Sequence, residues 1–309
     1  MDKNLKIYIA GHKGMVGSAC WNYLYNSGYK NLLGRDSNEL DLRNQNLVNK
    51  FISSNKPDII INAAGKVGGI LYNNNYPYEF LMYNMLIQNN LISAAHNNNI
   101  KRFIFLGSSC IYPKLSKQPI KEDYLLTDSL EPTNQWYAIA KISGIKLIES
   151  LRNQYNRDYI SLMPTNLYGP NDNFDLETSH VLPALIRKFH EAKIFNKKSV
   201  VLWGTGVAMR EFLHTEDLAR AVVFCIENKL SDHHIYNVGY GKDISIKELA
   251  DIIKNIIGYD GKIIWDTTKP DGTKRKLIDS TRINNHGWKP KYDLINGITH
   301  VYEWYKKNY

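Results

Sequence analysis

Apolar residues fall into two alternating patterns along the first half of this chain. Short continuous runs at 6–10, 31–34, 57–65, 101–106 and 159–163 have the length of strands buried on both faces. Between them lie segments of helical character, over 18–27, around Tyr137, and over 77–97 through Phe80, Leu81, Met85, Leu91 and Ile92. Strands alternating with helices over residues 1–164 predict an α/β fold built on a doubly wound parallel sheet.

Beyond residue 164 the texture changes. Residues 164–170 read as a loop and 171–179 as polar turns; a helix follows over 180–193. Short strands and loops are expected at 200–206 and 210–214. A helix is expected over 215–229 with Thr215 as N-cap, and another over 245–257, where Ser245 and Glu248 stand at capping-box spacing. The chain therefore divides into a sheet domain over 1–164 and a smaller C-terminal α/β lobe over 165–309. The lobe is interleaved with the sheet and returns some segments to it.

The first strand runs into Gly11-His12-Lys13-Gly14-Met15-Val16-Gly17, and a helix follows. Strand, glycine loop and helix in that order are the context of a dinucleotide (Rossmann) fingerprint. Gly11 permits a tight turn, Gly14 lets backbone approach a pyrophosphate, and Gly17 allows close helix–strand packing. The phosphates are then expected at the helix N-terminus, among free N–H groups. After the second strand Arg35 and Asp36 stand side by side, with Lys13 adding charge in the loop. An acidic residue there suits the ribose of NAD and arginine the 2′-phosphate of NADP; both are present, and the added charge of Lys13 favours NADP. Ala63-Ala64-Gly65 close the third strand with the small residues that a cofactor lying across a sheet edge needs.

Tyr137 and Lys141 are four apart on one helix, so phenol and ammonium share a face. A cation beside a phenol lowers its pKa from near 10 and makes it a proton donor and acceptor close to neutral pH.

Charge and cysteine usage narrow the ligand class. A net charge of +9 suits an anionic ligand. The lysines and arginines are scattered, and no basic motif interleaved with aromatics points to nucleic acid. Cys20, Cys110 and Cys225 are far apart, which gives no disulfide framework and no metal pattern and fits a reducing cytoplasm. The apolar run near Leu5 is too short for a signal-peptide core. No run of 18 apolar residues predicts a membrane span.

The set Gly11-x-x-Gly14-x-x-Gly17, Ser108, Tyr137 and Lys141 resembles the extended short-chain dehydrogenase/reductases, which act mostly on nucleotide-activated sugars. Long matches at 11–18, 106–113, 131–144, 163–170 and 269–277 narrow the resemblance to the GDP-L-fucose synthase family. Lys13 stands where that family more usually carries arginine, and keeps the charge without the planar fork.

The resemblance implies that Ser108, Tyr137 and Lys141 form a reductase triad acting on sugar C4. Cys110 and His180 match the pair that moves carbon-bound protons during epimerisation at C3 and C5. NADP(H) is the implied cofactor. Its implied contacts are Gly11, Lys13, Gly14, Met15, Val16, Gly17, Arg35, Asp41, Ala63, Ala64, Gly65, Leu106, Tyr137, Lys141, Pro164, Asn166, Leu167 and His180. A GDP-linked 4-keto sugar is the implied substrate, held by Ser109, Cys110, Asn166, Lys188, Trp203, Arg210 and Asp271. A homodimer through 77–97 and 134–153 is implied as well.

Taken singly, each residue has a structural reading: Cys110 and Trp203 as core, Lys188 as a solvated cation, His180 as a surface histidine. The weight lies in the set. Two other functions stay open. One is a dedicated C4 reductase of a related GDP-4-keto sugar such as a heptose, without epimerase activity. The other is a non-catalytic dinucleotide sensor, against which the intact triad speaks.

Overall fold

The computed structural model describes residues 2–269 and 271–309. Pro270, inside the matched stretch 269–277, lies outside the described residues. The chain begins β1 (Ile7–Ala10), α1 (Met15–Asn26), β2 (Leu32–Leu33), α2 (Gln45–Asn55), β3 (Ile59–Asn62), α3 (Ile70–Asn75), α4 (Pro77–Asn97) and β4 (Arg102–Leu106). It continues with α5 (Gln135–Tyr155), β5 (Asp158–Pro164), β6 (Asn166–Tyr168), α6 (Val181–Ile194), β7 (Ser199–Trp203), β8 (Met209–His214) and α7 (Thr215–Glu227). It ends with β9 (Ile235–Val238), β10 (Asp243–Ser245), α8 (Ile246–Ile257), β11 (Lys262–Asp266), β12 (Arg275–Lys276), α9 (Thr281–Asn285) and α10 (Leu294–Asn308).

Six strands make one parallel sheet in the order β2-β1-β3-β4-β5-β9, the doubly wound arrangement expected. Alternate residues of its strands enter opposite layers. Ile7, Ile9, Ile61, Ile104 and Leu162 pack against α1 and α7; Tyr8, Ile60, Phe103, Phe105 and Tyr159 pack against α2, α4 and α5. Burial on both faces is why these strands read as unbroken apolar runs. The strand order reverses at β1, with β2 on one side and β3 on the other, so a crevice opens beyond the strands' carboxyl ends there.

The rest of the C-terminal half builds its own core from α6, α8, α10, β7 and β8. Strand β8 pairs with β6 and β12 in parallel and with β10 antiparallel, while β11 pairs with β7. No helix among the described residues is long and apolar enough to cross a membrane.

Several local expectations are corrected. Helix α1 begins at Met15 rather than Ser18, because Gly14 already has extended N-cap geometry. Part of the expected loop 164–170 is strand β6, whose backbone pairs with β8 from Asn166↔Phe212 to Tyr168↔His214. Thr215 is the first helical residue of α7 and not its cap. His214 caps instead, its Nδ1 accepting from the Glu216 N–H at 3.2 Å. The capping box at Ser245 and Glu248 forms as expected.

Candidate active site

A cleft of about 1070 Å³ lies between the carboxyl ends of the sheet and the C-terminal lobe. One end is the glycine loop. Gly11 turns with φ +80°, and a Cβ there would meet the backbone of Ala64 at 2.9 Å. A Cβ on Gly17 would overlap the Gly11 carbonyl, so Gly17 sits beneath the loop and does not line the cleft. A Cβ on Gly14 would meet only Gly11 O, at 3.4 Å, which leaves open room over the start of α1. No side chain caps that helix, so the N–H groups of its first turn are left without an intrahelical or side-chain partner. An uncapped helix start beneath open space is what a pyrophosphate fits. Met15, Val16, Ala63, Ala64, Gly65, Leu106, Pro164 and Leu167 complete this part of the wall.

The cations at this end are partly committed. Lys13 Nζ lies 2.7 Å from Asp36 Oδ2, and Arg43 grips Asp41 at 2.9 and 2.8 Å while stacking on Tyr83. Arg35 donates only to its neighbour's carbonyl, Gly34 O, at 2.7 Å. Its guanidinium lies 5.6 Å from the Phe51 ring, and among the described residues it has no carboxylate partner.

Ser108, Tyr137 and Lys141 come together at the cleft floor, where β4 ends and α5 passes. Lys141 Nζ donates to Leu106 O at 2.9 Å and lies 4.8 Å from the Phe105 ring and 5.7 Å from the Tyr137 ring. Burial lowers its pKa to about 8. Tyr137 departs from expectation: burial pushes its phenol up, the nearby Cys110 adds to the rise, and Ser108 pulls it partly back. Desolvation disfavours phenolate more than the spacing to Lys141 favours it. The phenol keeps its proton at neutral pH, as an acid must.

Ser108 also caps the short 3₁₀ turn Ser109–Ile111, its Oγ accepting from Cys110 N–H at 3.2 Å. That turn carries Cys110 beside the triad. The sulfur receives hydrogen bonds from Asn134 Nδ2 at 3.4 Å and Lys276 Nζ at 3.6 Å. His180 opens into the same cleft from the N-cap of α6, and the surrounding walls hold its imidazole below the ordinary value.

At the far end stand Lys188, Trp203, Arg210 and Asp271. Lys188 Nζ donates to Val201 O at 3.2 Å, and burial lowers its pKa. Trp203 leaves 49% of its surface exposed. Arg210 is lowered by burial, a shift opposed by Cys110, Asp271 and Glu131 nearby. Asp271 accepts the Thr205 N–H at 2.7 Å and its hydroxyl at 2.8 Å, and so fastens the turn after Trp203. Asn166 is tied through Nδ2 to Glu211 O at 2.7 Å.

Sequence reasoning missed Lys66, Glu131, Asn134, Trp265 and Lys276, all on the cleft wall. Glu131 and Asn134 lie inside the matched stretch 131–144, and Lys276 inside 269–277, where they could have been found. Trp265 carries no signal beyond its strand.

The sequence model of the NAD dependent epimerase/dehydratase family matches residues 7–239. A putative GDP-L-fucose synthase 2 of Arabidopsis thaliana is 53% identical over 100% of this chain and 94% of its own length. The GDP-L-fucose synthase of Escherichia coli K12 is 49% identical, with 98% and 97% covered. A GDP-mannoheptose C4 reductase from Campylobacter jejuni, solved with NADP bound, superposes with a TM-score of 0.90 at 39% identity over 99% of both chains. The chain belongs to the NAD dependent epimerase/dehydratase family, and its full-length relatives place it beside the GDP-L-fucose synthases.

Proposed function

We propose that the protein reduces the C4 ketone of a GDP-4-keto-6-deoxy sugar with NADPH, after epimerising C3 and C5 in the same cleft. One observation carries the reading: Ser108, Tyr137, Lys141 and Cys110 meet on one floor, between an uncapped glycine-loop helix and a wall bearing Lys188, Trp203 and Arg210. Higher identity to fucose synthases, 53% against 39% for the heptose reductase, favours a hexose.

NADPH, when bound, supplies the hydride for C4. The glycine loop and the α1 start would hold its pyrophosphate, Arg35 its 2′-phosphate, and Lys141 its nicotinamide ribose. Tyr137 donates its proton to the C4 oxygen, which Ser108 also hydrogen-bonds. Before reduction, the C4 ketone acidifies the hydrogens on C3 and C5. Cys110 removes such a proton as thiolate, with Asn134 and Lys276 at the sulfur, and His180 returns one on the other face. Lys188 and Arg210 offer charge to the diphosphate, and Trp203 a flat surface to the base.

A homodimer is part of the proposal. Tyr78, Met82 and Leu86 on α4 and Trp136 and Ile139 on α5 leave large apolar side chains exposed on adjoining helices. A second copy is the partner such a face suits. The free cysteines suit a reducing cytoplasm.

Tyr137→Phe tests the reading. NADPH should bind nearly as before, while turnover of GDP-4-keto-6-deoxymannose falls by about 10²–10⁴. Wild-type turnover in the variant sinks the assignment.

A further inference from the structure

Residues 65–76 leave β3, run along the cleft as a strap containing α3, and turn into α4. The strap carries an ammonium in an aromatic cage. Lys66 Nζ donates to the Tyr72 hydroxyl at 2.8 Å, with the ring centroids of Tyr72, Phe80, Tyr76 and Tyr83 at 4.6, 5.6, 5.7 and 6.0 Å. Tyr72 packs edge-on against both Tyr76 and Phe80. The backbone of Lys66 is pinned too. Its N–H donates to Asn84 Oδ1 and its carbonyl accepts from Asn84 Nδ2, each at 3.0 Å, and Asn84 is buried. Aromatic faces attract a cation most strongly where water is displaced, so the cage fixes the start of the strap to α4.

The strap's other end touches the segment that carries His180. Asn73 Nδ2 donates to the carbonyls of Gly68 and Gly69, at 2.7 and 3.1 Å, and closes the turn into α3. Gly69 N–H then donates to Thr178 O at 2.9 Å. Contact is so close that a Cβ on Gly69 would meet Ser179 O at 2.6 Å. His180 is the next residue. Val67 and Leu71 on the strap line the same cleft as Leu176 and Val181.

We propose that Lys66 is a positioning residue: its caged ammonium fixes the strap, so that Gly69 holds Thr178 and Ser179 and thereby sets His180 over the sugar. The inference rests on the role proposed above for His180.

The test combines amide hydrogen exchange on the free protein with deuterium incorporation into the keto sugar. In Lys66→Met, exchange at the Gly69 and Asn73 amides should rise on the order of tenfold. Deuterium incorporation at C3 and C5 should fall by a similar factor, while reduction of an already epimerised substrate loses less. Lys66→Arg, whose guanidinium stacks in the same cage, should restore most of both. Wild-type protection at Gly69 in Lys66→Met overturns the proposal, as does equal loss of the two chemistries. If wild-type enzyme acts on no GDP-4-keto sugar, the proposed function fails, and amide exchange alone still decides on Lys66. If Lys66→Met does not fold, Tyr72→Phe decides: it keeps the ring, loses the acceptor and should show a smaller rise at Gly69. No rise there overturns the proposal.

Discussion

At the scale of single residues, the decisive pair is Tyr137 and Lys141, whose spacing was legible and whose electrostatics were not. The sequence placed phenol and ammonium on one helix face, but burial depends on what surrounds that face. The cleft floor raises the phenol and lowers the ammonium to about 8. This gives the rate a pH dependence. If the Lys141 charge is needed, kcat/KM should fall as pH rises through about 8, and a profile flat to pH 9.5 assigns the charge no role. Stability moves the other way. The folded chain releases this proton near 8 and the unfolded chain near 10.5, so the unfolded state binds more protons between those values. The cost of burying the charge is fully present below pH 8 and is relieved as pH rises. Asp271 teaches a related lesson. Its sequence match pointed to substrate; its carboxylate also engages Thr205, a contact that no spacing encodes.

At the scale of elements, legibility followed burial. The sheet strands could be read because both faces are covered, and α4 because its apolar positions extend over 21 residues. Helix α2 buries only Val48 and Ile52 and went unassigned. Strand β6 has three residues and forms because β8 lies beside it, a long-range cause invisible locally. The glycine loop separates folding from binding. Gly17→Ala forces a Cβ into the Gly11 carbonyl and should cost about 1–3 kcal/mol of stability. Gly14→Ala meets only Gly11 O, so stability should change by about 1 kcal/mol or less while NADPH affinity drops. Thermal melts and NADPH titration check the pair; a Gly14→Ala protein that binds NADPH like wild type contradicts the pyrophosphate assignment. The α4–α5 face makes a further prediction. Ile139→Glu places a charge in the exposed apolar stripe and should convert a dimer to monomer in sedimentation velocity. A wild-type monomer removes the proposed interface.

At the scale of the whole molecule, the fold brings the residues of the two proposed chemistries to one cleft. The turn after β4 delivers Ser108 and Cys110, α5 delivers Tyr137 and Lys141, and the C-terminal lobe adds His180, Lys188, Trp203 and Arg210 to the cleft. Residues from widely separated stretches thus meet where the carboxyl ends of the sheet face the C-terminal lobe. In the proposed function Cys110 handles carbon-bound protons there, before and apart from reduction by the triad. The most direct measurement follows GDP-4-keto-6-deoxymannose by NMR in D₂O without NADPH, using wild type and Cys110→Ser. Wild type should place deuterium at C3 and C5. The serine variant, whose hydroxyl is a far weaker acid than a thiol and scarcely ionises, should not. It should still reduce an already epimerised substrate once NADPH is added. Wild-type enzyme that consumes NADPH yet leaves both carbons free of deuterium, or a serine variant that exchanges as fast as wild type, contradicts that role for Cys110.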